Sequence, residues 1–450
     1  MKYSTLSLAV VLASMPFIAS AEGEQNKNYD VSQGLVFDNS DFAKPTSGHN
    51  INYFSVGSGN ALKFSGSSVG SGELTVRNND NDRVDTYFNV SGKNSSVVFN
   101  KFKTLNILVD SKFTHYPDIG DDGKDKAPNN QTPFIITNGG HAEISDIQTV
   151  NFGLKDNPAK VDYMTNLWGS GSSLVIKNIE NFNSITNGSG SVLVQADSSI
   201  SFDDVKNIYI TNVYSGTSAG ARAAVQLFCS SSGDAVQPAS FSITNAENVY
   251  ISGTDDNDNP SSAAAGIVIN DRGGNYQGTK AANFIIQAKT LAVHGSDLGI
   301  YLTRKQSQSG STNIQLSAEE SLSIDVDADS NYGDAIRLSN ETGLEAIIEL
   351  NSPQVFIQGD ISSTRGDTSI IADQTLINGS IKLNDGDSSL ILGNRSVGIA
   401  DVVLSGNVES NGIVDLKGGS INSKRSKIPG VSHHPSSFTD TPVASAPIRC

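Results

Sequence analysis

The chain has 450 residues, with 42 Gly but only 2 Cys, 3 Met and 1 Trp, and its 31 Lys plus Arg against 47 Asp plus Glu give a formal net charge of −16. A face for nucleic acid or an anionic membrane needs concentrated positive charge, so neither is a main partner. So few cysteines exclude a disulfide framework, and the Gly-rich, Met-poor usage suits many short strands and turns better than long helices.

The first 21 residues, MKYSTLSLAVVLASMPFIASA, combine Lys2, an apolar run from Leu6 to Ile18 and a small-residue site at Ala19-Ser20-Ala21. This predicts a signal peptide cleaved after Ala21 and export of the chain. The run is too short for a membrane anchor and is interrupted by Pro16. No later stretch is long and apolar enough to span a bilayer, so no membrane span is expected in this chain. Residues 22–90 read as an N-terminal cap with the first irregular coils.

From position 97 a repeat sets in. Writing φ for an apolar residue, the pattern φ-x-φ-x-x-φ-x-x-φ-x-φ fits Val97, Phe99, Phe102, Leu105, Ile107, and then Ala142, Ile144, Ile147, Val150, Phe152. It fits again at Ile200, Phe202, Val205, Ile208, Ile210 and at Phe241, Ile243, Ala246, Val249, Ile251. Leu174, Ile176, Ile179, Phe182 end on polar Ser184; Ile314, Leu316, Glu319, Leu322, Ile324 place a charge at the centre; the stretch from Ala282 fits only with a one-residue slip. A third apolar segment follows at variable distance, as in Phe134–Ile136, Val192–Val194, Val225–Leu227, Ile267–Ile269, Ile300–Leu302 and Ile336–Leu338. Such units cannot bury their faces alone; stacking pairs each strand in parallel with its equivalent in the next unit. The expected fold is all-β, a right-handed parallel β-helix (solenoid) of about ten coils, each of three short strands, roughly 50 Å long at the usual strand spacing. A β-sandwich does not predict a corner residue recurring at one offset, and the Leu-rich consensus of a leucine-rich repeat is absent.

The corners carry their own signal. Two residues after the second φ stand Asp146, Asn178, Asp204 and Asn245; just before the fourth φ stand Thr104, Thr149, Asn181, Asn207 and Asn248. Asx side chains tolerate left-handed backbone and bond local amides, so stacked coils should align them as hydrogen-bonded structural ladders. The repeat domain is read as 91–368, shorter Gly-rich coils as 369–423, and 424–450 as an irregular or out-of-frame tail.

A leader followed by degenerate S-x-φ-x-φ coils such as Ser199 to Ile210 and Ala239 to Ile251, acidic and rich in Gly, Ser and Asn, resembles the passenger domains of Gram-negative autotransporters. The resemblance covers roughly residues 90 to 422 and is compositional and periodic. It implies a secreted rod displayed at the cell surface. The family also ends in an outer-membrane barrel, whereas this sequence ends in a basic, Pro-rich stretch finishing at Cys450. Either the passenger is truncated or frame-shifted near Asn422, the expectation favoured here, or the chain is secreted by another route.

Candidate chemistry is sparse. Asp255-Asp256-Asn257-Asp258, His294-Gly295 and Ile336-Arg337 stand in the order of the acidic, G-H-G and R-I-K elements of polygalacturonases, but Val293 and Leu338 break the motifs. Asp118, Asp121, Asp122 and Asp125, and Asp325, Asp327, Asp329 and Asp334, are oxygen-rich runs without the spacing of a known Ca²⁺ loop. His433-His434 lies isolated in the tail. No catalytic residue, metal or cofactor is therefore assigned. The expected function is adhesion or display toward a host or neighbouring cell-surface glycan or protein, with self-association as a further option. Specificity would lie in the connections 108–132, 153–166, 211–222, 252–264 and 303–312. The alternative is a β-helical polysaccharide hydrolase or lyase.

Overall fold

Apolar residues at alternate positions fold as strands with one buried face, and the burial along Ala239–Asp255 follows that alternation on either side of a corner. The computed structural model describes residues 26–38, 41, 52–78, 86–109, 132–214, 220–229, 237–255, 262–270, 282–304, 312–327, 333–340, 346–396, 401–417 and 420–423. The leader, Cys450, Asp118 to Asp125, Asp256 to Asp258, Asp329 and His433-His434 lie outside the described residues. The described strands form one 28-stranded sheet in which every strand pairing is parallel.

The pairings resolve into three ladders. The first aligns Leu62, Val97, Ala142, Leu174, Ile200, Phe241, Phe284, Ile314, Ile348, Thr368, Leu390 and Val414. The second aligns Leu35, Leu74, Leu105, Val150, Phe182, Ile208, Val249, Leu291, Leu322, Val355, Thr375, Val402 and Ile421. The third aligns Phe54, Phe88, Phe134, Thr165, Val192, Val225, Ile267, Ile300, Ile336, Ile361, Ile381 and Val408, and so contains all six apolar segments noted above. The first ladder, which Lys27–Asp30 begins by pairing with Ala61–Ser65, and the second have thirteen strands each, more than the ten or so coils expected, because the rungs before residue 96 and after residue 380 are interrupted at the corner and do not fit the periodic template.

Ser172–Gln195 shows how the ladders connect: its 24 residues run through all three, and Ser198 then pairs with Ser172 one rung on. From Ser96–Leu108 to Gly366–Asn378, nine strands each turn from the first ladder into the second without a break, so this corner is tight and varies by no more than one residue. The other two corners absorb the variation in rung length, from 45 residues between Asn106 and Asn151 to 26 between Asn181 and Asn207 and 20 between Asp360 and Ser380.

Inward side chains of the three ladders merge into one apolar column. Toward the N-terminus it is aromatic. Phe64 stacks between Tyr29 and Phe99 at 4.9 and 5.0 Å, Phe88 between Phe54 and Phe134 at 5.1 and 4.9 Å, and Phe88 meets Phe99 edge-on at 5.1 Å. Beyond Phe284 the described interior is aliphatic, and it includes the buried hydroxyls of Ser352 and Thr368, which have no hydrogen-bond partner. Two details of the repeat are corrected. The inward residue at the corner of Thr312–Val326 is Ala318, in register with Ala288, while Glu319 is exposed. The connection expected at 153–166 instead contains most of the strand Ala159–Trp168, whose end joins the third ladder.

Candidate functional site

The constant corner is built from residues with left-handed backbone. Lys101, Asp146, Asn178, Asp204 and Asn245 have φ of 61°, 53°, 54°, 52° and 57° in five successive rungs. A side chain that hydrogen-bonds locally lowers the cost of that conformation, which explains Asx at four of the five. Asn178 Nδ2 donates to Asp146 Oδ1 of the rung before (3.0 Å), whereas Asn245 Nδ2 reaches Asp203 Oδ1 (3.2 Å) instead of Asp204. In the next rung the pairing shifts by one residue between Ile243 and Ala246, so Ala282–Gly295 turns the corner with one residue fewer. That deletion is the slip seen in the repeat.

Beside this corner the positions before the fourth φ form a connected row. Asn207 Nδ2 donates to Asn181 Oδ1 (3.0 Å), Asn248 Nδ2 to Asn207 Oδ1 (2.8 Å), and Thr290 Oγ1 to Asn248 Oδ1 (2.7 Å). A second amide row was not anticipated: Asn183 Nδ2 donates to Asn151 Oδ1 and Asn151 Nδ2 to Asn106 Oδ1 (both 2.9 Å), and Asn106 Nδ2 donates to Thr75 Oγ1 (3.2 Å). The signal was present in the sequence as Asn between the last two φ positions of three consecutive units. Ser184, the polar exception in the repeat, is buried and hydrogen-bonds to Ser191 of its own strand.

At the far side of the second ladder, Ser252, His294 and Asp325 occupy one register position in successive rungs. His294 Nδ1 lies 2.6 Å from Asp325 Oδ2, and Nε2 lies 3.9 Å from Asp327 Oδ1. The hydrogen bond with Asp325 raises the imidazole pKa above its usual value, with the charges of Asp325 and Asp327 adding to it and partial burial opposing it. Asp255 N–H donates to Ser296 Oγ at 3.2 Å. Here Gly253 and Gly295 allow two stretches of backbone to meet: a Cβ on either would collide with the carbonyl oxygen of Ala265 or Leu298.

Arg337 belongs to the third ladder, in register with Tyr301, over whose ring its guanidinium sits at 5.7 Å; Nη1 lies 3.4 Å from Asp334 Oδ2. Burial pushes the Asp334 carboxyl up, against hydrogen bonding from Ser362 and the nearby Arg337. Asp360 pairs with Lys382 at 2.5 Å in the rungs that follow. Asp255, His294 and Arg337 are thus divided between two ladders, each with its own neighbours as partners. Among the described residues, no group of three or more His, Cys, Asp or Glu is arranged to hold a metal ion. No described helix is long and apolar enough to cross a membrane, which says nothing about strands.

Compared with family models, curated proteins and solved structures, the chain has no match.

Proposed function

We propose that the chain is a right-handed parallel β-helical rod, exported to the cell surface, that binds or displays through the segments joining its rungs. Adhesion to a glycan or protein on a host or neighbouring cell is the reading favoured. The observation that carries it is the division between constant and variable parts. The apolar column and the Asx corner are engaged in contacts between rungs, while changes in chain length of more than one residue fall at the other two corners. Insertions placed outside the core are where recognition evolves at little cost to the fold. Right-handedness follows from the strong preference of parallel crossovers. At about 4.8 Å per rung, thirteen rungs give a rod about 60 Å long. The leader read in the first 21 residues and the resemblance to autotransporter passengers support export and surface exposure.

The test combines protease shaving of intact cells with binding of the purified chain to arrays of glycans and matrix proteins. Cleavage from outside and saturable binding are expected. A chain confined within the cell, or one that binds nothing on the arrays, would overturn the reading.

A further inference from the structure

Part of the surface of the second ladder carries no charge. Asn207–Val213 and Asn248–Thr254, which pair in register, contain no Asp, Glu, Lys or Arg, although the chain has a net charge of −16. Side chains alternate across a strand, so Ile208, Ile210, Val249 and Ile251 enter the core while Tyr209 and Tyr250, partners in adjacent rungs, point outward. Tyr209 is 41% exposed, a large aromatic surface left in water. On one side of the pair runs the amide row. Exposed Asn248 gives one N–H to Asn207 and accepts one O–H from Thr290, which leaves it a second N–H and a second lone pair. Thr211 stands on the other side, and the His294–Asp325 pair closes that edge two rungs further on.

From this geometry we infer that Tyr209 and Tyr250 form a platform for a neutral pyranose glycan, an inference that rests on the binding reading above and places its ligand on the rod itself. A sugar ring offers an apolar C–H face to stack on an aromatic ring and a rim of hydroxyls that both donate and accept, which is what the tyrosine pair and the amide row provide. Paired strands carry both residues, and a tyrosine has only two side-chain torsions to fix, so little side-chain entropy is lost on binding. A glycan bearing carboxylate or sulfate finds no Lys or Arg within these two stretches; exposed Lys206 lies at their edge, Lys289 is paired with Glu320, and the chain as a whole is acidic. A protein partner needs roughly 800 Å² of complementary surface on each side, far more than two rings offer.

The experiment measures binding of the full chain to immobilised neutral and anionic oligosaccharides. Neutral glycans should bind, the double variant Tyr209→Ala/Tyr250→Ala should bind them at least 10-fold more weakly, and Tyr209→Phe/Tyr250→Phe, which keeps both rings, should stay within a few-fold of the parent. Because both side chains point outward, an unchanged thermal midpoint will show that the alanine variant is folded. Should it instead unfold, the comparison moves to Asn248→Ala, with a loss of several-fold expected. Neutral-glycan binding that survives loss of both rings, or binding restricted to anionic glycans or to proteins, would overturn the platform while leaving surface binding intact. Failure of the parent chain to bind any glycan or protein would overturn both.

Discussion

Asn178 holds a φ of 54° and passes an amide hydrogen to Asp146 in the rung before it. Left-handed backbone costs an ordinary L-residue about 1–2 kcal/mol and costs glycine nothing. Asn178→Val should therefore destabilise the chain by about that amount, and Asn178→Gly should remain within about 0.5 kcal/mol of the parent. Urea midpoints of the two variants measure the difference directly. Equal midpoints would mean that the inter-rung hydrogen bond, and not the backbone conformation, selects Asn here. Lys101 adopts the same conformation with no Asx side chain, so the conformation is the common requirement and the amide bond an addition to it.

At the scale of the strand, pairing between neighbouring rungs places His294 against Asp325. The folded pKa of His294 is raised above the usual 6.5, chiefly by its hydrogen bond with Asp325. A raised pKa means that the pair's contribution is fully present below the unfolded value of about 6.5 and disappears as pH climbs through the folded value. Stability followed from pH 6 to pH 9 should fall in the parent and fall less in His294→Gln; parallel curves would show that the pair contributes nothing. Nine strands turn the first corner without a break, and there the apolar spacing carries the register in the sequence itself. Glu73–Arg77 lies beyond a Gly- and Ser-rich turn from Ala61–Ser65, so the two halves of that rung sit at no fixed spacing. Glu319 was read as central because the template places the extra corner residue before the third φ, as at Asn245, whereas Thr312–Val326 carries it after that position, between Ala318 and Ser321, and so brings Ala318 inward. The row from Asn106 to Asn183 has a signal in the sequence, Asn between the last two φ positions of three consecutive units, but only strand pairing turns those separate residues into a hydrogen-bonded row.

For the molecule as a whole, the interior is graded from interlocked aromatic rings near the N-terminus to aliphatic side chains further along, with unpartnered buried hydroxyls at Thr165 as well as at Ser352 and Thr368. Truncating a fully buried ring such as Phe88 typically costs about 3–5 kcal/mol, and a buried hydroxyl left without a partner about 1–3 kcal/mol. In a linear array each rung is stabilised only by itself and its neighbours, so this difference stays local instead of being averaged over the chain. Under mechanical load the consequence is directional. Pulled from its two ends in an optical trap, the protein should peel from the C-terminal end in a sawtooth of small ruptures, each releasing one rung of about 20 to 45 residues, roughly 70 to 150 Å of contour. The aromatic end should yield last and at the highest force, and Phe88→Ala should lower that final peak alone. A tether built in this way dissipates a tug in instalments while the firmest part of it stays intact.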